Sequence, residues 1–140
     1  MNEPFAFTPE ERAAVAAALD ARVPGAAALG AVDYVERLLG ALDHDPPHLW
    51  AAPGPWAGDG PRWLGLGPWE RHAWRARLDD LQAVYRRVAA GRTEPGDNRV
   101  VHAHACEAAY GDPAYGGNRG GEGWRRIDFP EPLFPPARVP

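Results

Sequence analysis

Pro68 to Ala90 reads P-W-E-R-H-A-W-R-A-R-L-D-D-L-Q-A-V-Y-R-R-V-A-A, and Gly91 follows. Trp74, Leu78, Leu81, Tyr85 and Val88 recur at steps of four, three, four and three, the spacing that puts all five on one side of an α-helix. Proline suits a first turn, where its missing N–H costs no ladder bond, and glycine is a common stop. The stretch predicts the longest helix of the chain. Arg71, Arg75, Arg77, Arg86 and Arg87 are dispersed beside Glu70, Asp79 and Asp80, which predicts a solvated, charge-paired face rather than an anion site. A helix with one apolar stripe needs partners, so the fold depends on what the rest of the chain lays against it.

Three further helices are legible. After the turn-forming Thr93 to Gly96, Asp97 predicts a capped helix to about Ala109, ended by Tyr110-Gly111-Asp112-Pro113. Ala31 to Leu42 carries Val32, Val35, Leu38, Leu39 and Leu42 on one face, and Asp43-His44-Asp45-Pro46-Pro47 ends it because proline cannot continue the ladder. Thr8-Pro9-Glu10-Glu11 reads as an N-cap, a first-turn proline and a capping box, opening a helix whose thin stripe is Val15, Leu19 and Val23 and which stops at Pro24-Gly25. The expected fold is mostly α: one domain over residues 1–140, a small bundle of about four helices with long Gly/Pro/Trp-rich loops. The proline-rich tail, 130–140, is expected to be extended. Trp50, Trp56 and Trp63 in the Pro46 to Pro68 connection read either as a satellite cluster covering the helices or as a docking surface, since Trp is enriched at interface hot spots.

The chain has 140 residues, with Gly and Pro at 16 each, and much of its 45% hydrophobic content is alanine. Large core side chains are few, so stability alone is expected to be modest. The formal net charge of -4 gives no electrostatic footprint for nucleic acid. Every Lys/Arg position is arginine, a bias for which a G+C-rich genome is the favoured explanation over a binding site. No stretch is long and apolar enough to suggest a membrane span, and Met1-Asn2-Glu3-Pro4 has no secretory pattern, so the default expectation is a cytoplasmic chain.

Cys106 is the only cysteine, so an intrachain disulfide is excluded. His102-x-His104-x-Cys106 is the one run with metal-ligand residue types. On a helix His102 and Cys106 share a face and His104 points roughly away, so three ligands do not converge. A buried, inert cysteine with partly exposed histidines is the favoured reading, a metal or thiol enzyme using His102 and Cys106 the minor one. No P-loop, G-x-S-x-G or H-E-x-x-H pattern is present, and nothing in the chain would hold a flavin or another cofactor by itself.

Asp112 to Pro130, D-P-A-Y-G-G-N-R-G-G-E-G-W-R-R-I-D-F-P, is the most unusual segment. Five glycines separate Tyr115, Trp124 and Phe129 and three arginines. Regular secondary structure is not expected there; Gly116-Gly117-Asn118 reads as a sharp turn, and the rings read as anchors buried in this domain or in a partner. The segment resembles the signature of the small subunit, subunit 3, of gluconate 2-dehydrogenase, whose members carry D-P-x-Y-G-G-N-[RK], then G-W, then I-G-[FY]-P. Asp112, Pro113, Tyr115, Gly116, Gly117, Asn118, Arg119, Gly123, Trp124, Ile127, Phe129 and Pro130 match; Asp128 stands where the family usually has glycine. Weaker matches are Thr8 to Glu11, Val23 to Gly25 and Val32 to Leu39.

The resemblance implies a small helical, non-catalytic subunit that binds, stabilises or helps mature a large flavin-dependent dehydrogenase of the glucose-methanol-choline type, often alongside a cytochrome c subunit. FAD would then belong to the partner, and Tyr115, Gly116, Gly117, Asn118, Arg119, Trp124 and Phe129 would form the partner-binding set. Relatives often carry a twin-arginine export signal, so a partner could carry this chain to the periplasm or the membrane. A stand-alone binding module for an anionic ligand or another protein is the alternative, with the Gly116 to Gly121 loop and Arg119 as a backbone nest.

Overall fold

The structure is a computed structural model that describes residues 3–44, 50–51, 62–63, 68–111, 113 and 116–128. Helix α1 spans Pro9–Arg22, α2 Ala31–Leu39, α3 Pro68–Ala89, α4 Asp97–Tyr110 and α5 Glu122–Arg126, with single 3-10 turns at Ala27–Leu29, Ala41–Asp43 and Arg119–Gly121. The mostly α fold is therefore as expected. Trp50–Ala51 and Arg62–Trp63 pair as a minimal antiparallel ladder, with Trp50 opposite Trp63. The remainder of the Trp-rich connection, including Trp56, and the tail from Pro130 to Pro140 lie outside the described residues.

The start of α1 follows its sequence closely. Thr8 Oγ1 accepts the Glu11 N–H at 3.2 Å and Glu11 Oε1 accepts the Thr8 N–H at 3.0 Å, which completes the capping box. Just upstream Phe7 is buried, its ring centroid 6.2 Å from that of Tyr85 on α3. Its N–H is held by Glu36 of α2 at 2.9 Å. The entry segment thus joins α2 and α3 before α1 begins.

The first four helices form one bundle, in which α1 packs on α2, α3 and α4, and α2 packs on α3 and α4. Val15, Leu19, Val35 and Leu39 are fully buried with Tyr85, Val101, Ala105, Ala108 and Ala109. Each large aliphatic side chain buried there contributes about 1.5–3 kcal/mol by removal from water. The alanines contribute little area, but their small side chains let helix backbones approach closely. A second small cluster centres on Leu78 and Ala41, with Leu38, Leu42, Trp74 and Leu81 half-buried around it.

Two predicted helices differ from their expected form. α2 stops at Leu39 and not at Leu42, since Gly40 breaks the ladder and the chain tightens into Ala41–Asp43. Asp43 then accepts the Phe5 N–H at 2.8 Å, another tie to the entry segment. In α3 only Leu78, Tyr85 and Val88 of the apolar stripe are buried; Trp74 and Leu81 are half-buried, and Trp69 is 84% exposed. Several of its arginines reach other elements instead of Glu70, Asp79 and Asp80: Arg75 lies 3.8 Å from Asp43, and Arg86 pairs with Glu11 of α1.

Asp97 does not cap α4 through its side chain. Gly96, with φ 93°, occupies the cap position. The buried Asp97 carboxylate instead receives both Arg87 nitrogens at 2.9 Å and the Glu94 N–H at 2.9 Å, locking the α3–α4 turn. The hydrogen bond from Arg87, with that from the Glu94 backbone, lowers the Asp97 carboxyl to about 2. An unfolded aspartate titrates near 3.9, so the unfolded chain takes up the proton first as pH falls. The stability from this group is thus complete above about pH 4 and is lost through about pH 2. Asp97→Asn is expected to lower the melting temperature at pH 7 and to flatten the acid limb of a stability-versus-pH curve; an unchanged limb would show that another carboxylate governs it.

Candidate functional site

Helix α4 ends where glycine is needed for room. A Cβ on Gly111 would lie 2.4 Å from the Glu107 carbonyl, and the Gly111 N–H bonds that same oxygen at 2.8 Å. The chain reverses and returns along the end of α4. A Cβ on Gly117 would meet the Ala108 carbonyl oxygen at 2.2 Å, and one on Gly123 would meet that of Ala109 at 1.7 Å. Both positions are backbone laid directly on backbone, which only glycine permits.

Asn118 is the pivot of this return. Its backbone is left-handed, with φ 46°, and its side chain is fully buried. Nδ2 donates to the Gly111 carbonyl at 2.7 Å and Oδ1 accepts the Gly123 N–H at 2.7 Å. Trp124 Nε1 donates to the Tyr110 carbonyl at 2.7 Å. The last carbonyls of a helix lack intrahelical partners, and here two of them are satisfied by side chains from the Gly/Asn/Trp segment. That segment is the cap of α4.

It is also clamped on the opposite side. Arg119 pairs with Asp33 of α2, which Arg12 of α1 also holds, at 2.6 Å. Gly30, just before α2, lies beside both the Gly116 carbonyl and the Arg119 side chain, and the Arg126 guanidinium lies against Gly25. Tyr34 of α2 donates to Glu107 of α4 at 2.8 Å. The expectation of no regular structure in this segment is corrected: once Gly123 is seated on α4, Glu122–Arg126 completes a short helix.

The predicted contact residues therefore divide. Gly117 and Asn118 are buried inside the chain's own framework, Gly116 is half-buried and Arg119 is exposed but ion-paired. Trp124 is half-buried and hydrogen-bonded. Tyr115 and Phe129 lie outside the described residues. Two residues outside the predicted contact set are exposed near Trp124: Tyr110, whose carbonyl holds Trp124 Nε1, is 36% exposed, and Ile127 is 49% exposed. Ile127 was legible as a motif match but not as a surface residue. The Arg119–Asp33 pair also neutralises the cation assigned to an anion-binding nest.

No family model, no curated protein and no solved structure matches this chain.

The histidines separate as helical geometry requires. His104 is buried and its Nδ1 is 2.7 Å from the Tyr85 hydroxyl, whereas His102 is exposed, with Nε2 3.7 Å from Cys106 Sγ. Among the described residues no group of three or more His, Cys, Asp or Glu is placed to hold a metal, and no helix is long and apolar enough to cross a membrane.

Proposed function

We propose that this chain is the non-catalytic small subunit of a flavin-dependent dehydrogenase of the glucose-methanol-choline type, binding and stabilising a partner that acts on a sugar acid or polyol. The observation that carries this reading is spatial. Three of the separate sequence blocks behind the resemblance to gluconate 2-dehydrogenase subunit 3 meet in one structural unit: Gly25 with Arg126, and Asp33 with Arg119. Asp128, at the position where that family usually has glycine, has φ 53°, a left-handed conformation glycine adopts without strain. Motif and backbone requirement thus agree at a point where the residue itself departs.

The buried part of the motif builds the platform, and the exposed part is what a partner can touch. Tyr110, Trp124 and Ile127 present apolar surface at one end of the bundle, of the kind that anchors interfaces. FAD and catalysis belong to the partner in this reading, a cytochrome c subunit is a further candidate component, and the compartment follows the partner's.

The test is capture of the tagged chain from its native source, with mass spectrometry and a flavin absorbance scan. A near-stoichiometric flavoprotein is expected. Ile127→Glu, at an exposed position, should weaken its capture about 30-fold, equivalent to one hot spot of about 2 kcal/mol, with helix content unchanged by circular dichroism. A well-folded chain that comes down alone and free of flavin would overturn the subunit reading. A captured flavoprotein indifferent to Ile127→Glu would move the interface elsewhere.

A further inference from the structure

We propose that His102 and Cys106 form a two-point chelate for a thiophilic divalent cation, with zinc the ion whose ligand preferences fit best. The two residues are one helical turn apart on α4, on a side chain row that continues to Tyr110. His102 is exposed and Cys106 half-buried, so the pair is open to solvent. Zinc binds imidazole nitrogen at about 2.0–2.1 Å and thiolate sulfur at about 2.3 Å, so two ligand atoms of a tetrahedral site stand about 3.5 Å apart. His102 Nε2 and Cys106 Sγ stand 3.7 Å apart. An ion can therefore enter with small side-chain adjustments, on a helix backbone that already fixes both attachment points.

The remaining positions fall to water. His104 is turned into the bundle and bonded to Tyr85, and no third ligand stands nearby among the described residues. Binding is a proton exchange without redox chemistry: the thiol gives up its proton to solvent as sulfur bonds the cation, and the Nε2 lone pair makes the second bond. With two protein ligands the site is weaker than a four-ligand structural zinc centre. It does not depend on the flavoprotein reading.

The experiment titrates the reduced, metal-free full chain with cobalt(II) alone, then with zinc. The expected result is a saturable thiolate-to-cobalt charge-transfer absorption that zinc bleaches, in keeping with the selection of zinc by soft thiolate ligands. Cys106→Ser should abolish the band. His102→Ala should weaken cobalt binding at least tenfold with unchanged circular dichroism, an effect that a thiol acting alone would not show. Absence of the band in the wild-type chain, or equal cobalt affinity in His102→Ala, would overturn the chelate. Zinc should also slow alkylation of Cys106 in the wild type and not in His102→Ala.

Discussion

Gly123→Ala is expected to destabilise the chain by about 3 kcal/mol or more, the largest effect of a Gly→Ala change among the described residues. The added carbon would stand 1.7 Å from the Ala109 carbonyl oxygen and 2.8 Å from Asn118 Oδ1. Neither neighbour is the free end of a flexible side chain, so α5 must lift from α4. Overpacking of this kind costs about 1–3 kcal/mol and sometimes more. Lifting also breaks the Gly123 N–H bond to buried Asn118, and an orphaned buried polar group adds about 1–3 kcal/mol. Asn118 variants separate backbone from side chain. Asn118→Gly keeps the left-handed backbone and loses both hydrogen bonds; Asn118→Ala loses the bonds and adds roughly 1–2 kcal/mol of left-handed strain. Urea unfolding should therefore rank wild type above Asn118→Gly and that above Asn118→Ala. A Gly123→Ala chain as stable as wild type would show that α5 does not rest on α4 as described.

That ranking also shows why the site was only partly legible in sequence. The helices were readable because their signals are local: a capping box at Thr8 and Glu11, a stripe through Leu78, Tyr85 and Val88, prolines and glycines at the boundaries. The Gly/Asn/Trp segment carries an equally distinct local signal, but its meaning is tertiary. A glycine chosen for positive φ and one chosen because a carbonyl passes beneath it are the same letter. Gly123 belongs to the second kind, and the carbonyl that explains it is 14 residues away, at Ala109. Asn118 reads as a turn residue from its neighbours, yet its buried amide bridges the end of α4 to the start of α5.

Charge partners were the other hidden layer. Arg119 reads as a free cation in a glycine-rich loop until Asp33, 86 residues earlier, is placed beside it. Arg87 reads as part of a solvated face until the turn at Glu94 folds Asp97 under it. Sequence spacing identifies ion pairs within a helix, and these pairs run between elements. Side chains that looked available for a ligand or partner are instead paired within the bundle, while Tyr110 and Ile127 stay exposed and Trp124 half-buried.

Between pH 7 and pH 5 the chain should lose stability through His104. The residue is buried against Tyr85, with ring centroids 5.7 Å apart and planes within 9° of parallel. A neutral imidazole can accept the Tyr85 proton at Nδ1; an imidazolium carries protons on both nitrogens, so the hydroxyl would have to turn away within a packed core. Burial lowers the His104 pKa, the Glu107 carboxylate opposes that shift and the Arg77 guanidinium adds to it. Burial likewise raises the Tyr85 phenol, with Glu107 and Tyr34 adding to it, so it stays a neutral donor throughout. Because the folded-state value is below the unfolded value near 6.5, the unfolded chain binds the proton first as pH falls. Stability therefore declines from about pH 6.5 downward, by at most about 1.4 kcal/mol per pH unit for one proton, and levels once folded His104 is protonated. Tyr85→Phe removes the donor and should cost about 1–3 kcal/mol at pH 7 by leaving Nδ1 unpaired. His104→Leu should remove the slope between pH 7 and pH 5 while leaving the Asp97 limb below pH 4 in place. Denaturant titrations at half-unit pH steps resolve the two limbs, and a slope that survives His104→Leu would assign the titration to another group.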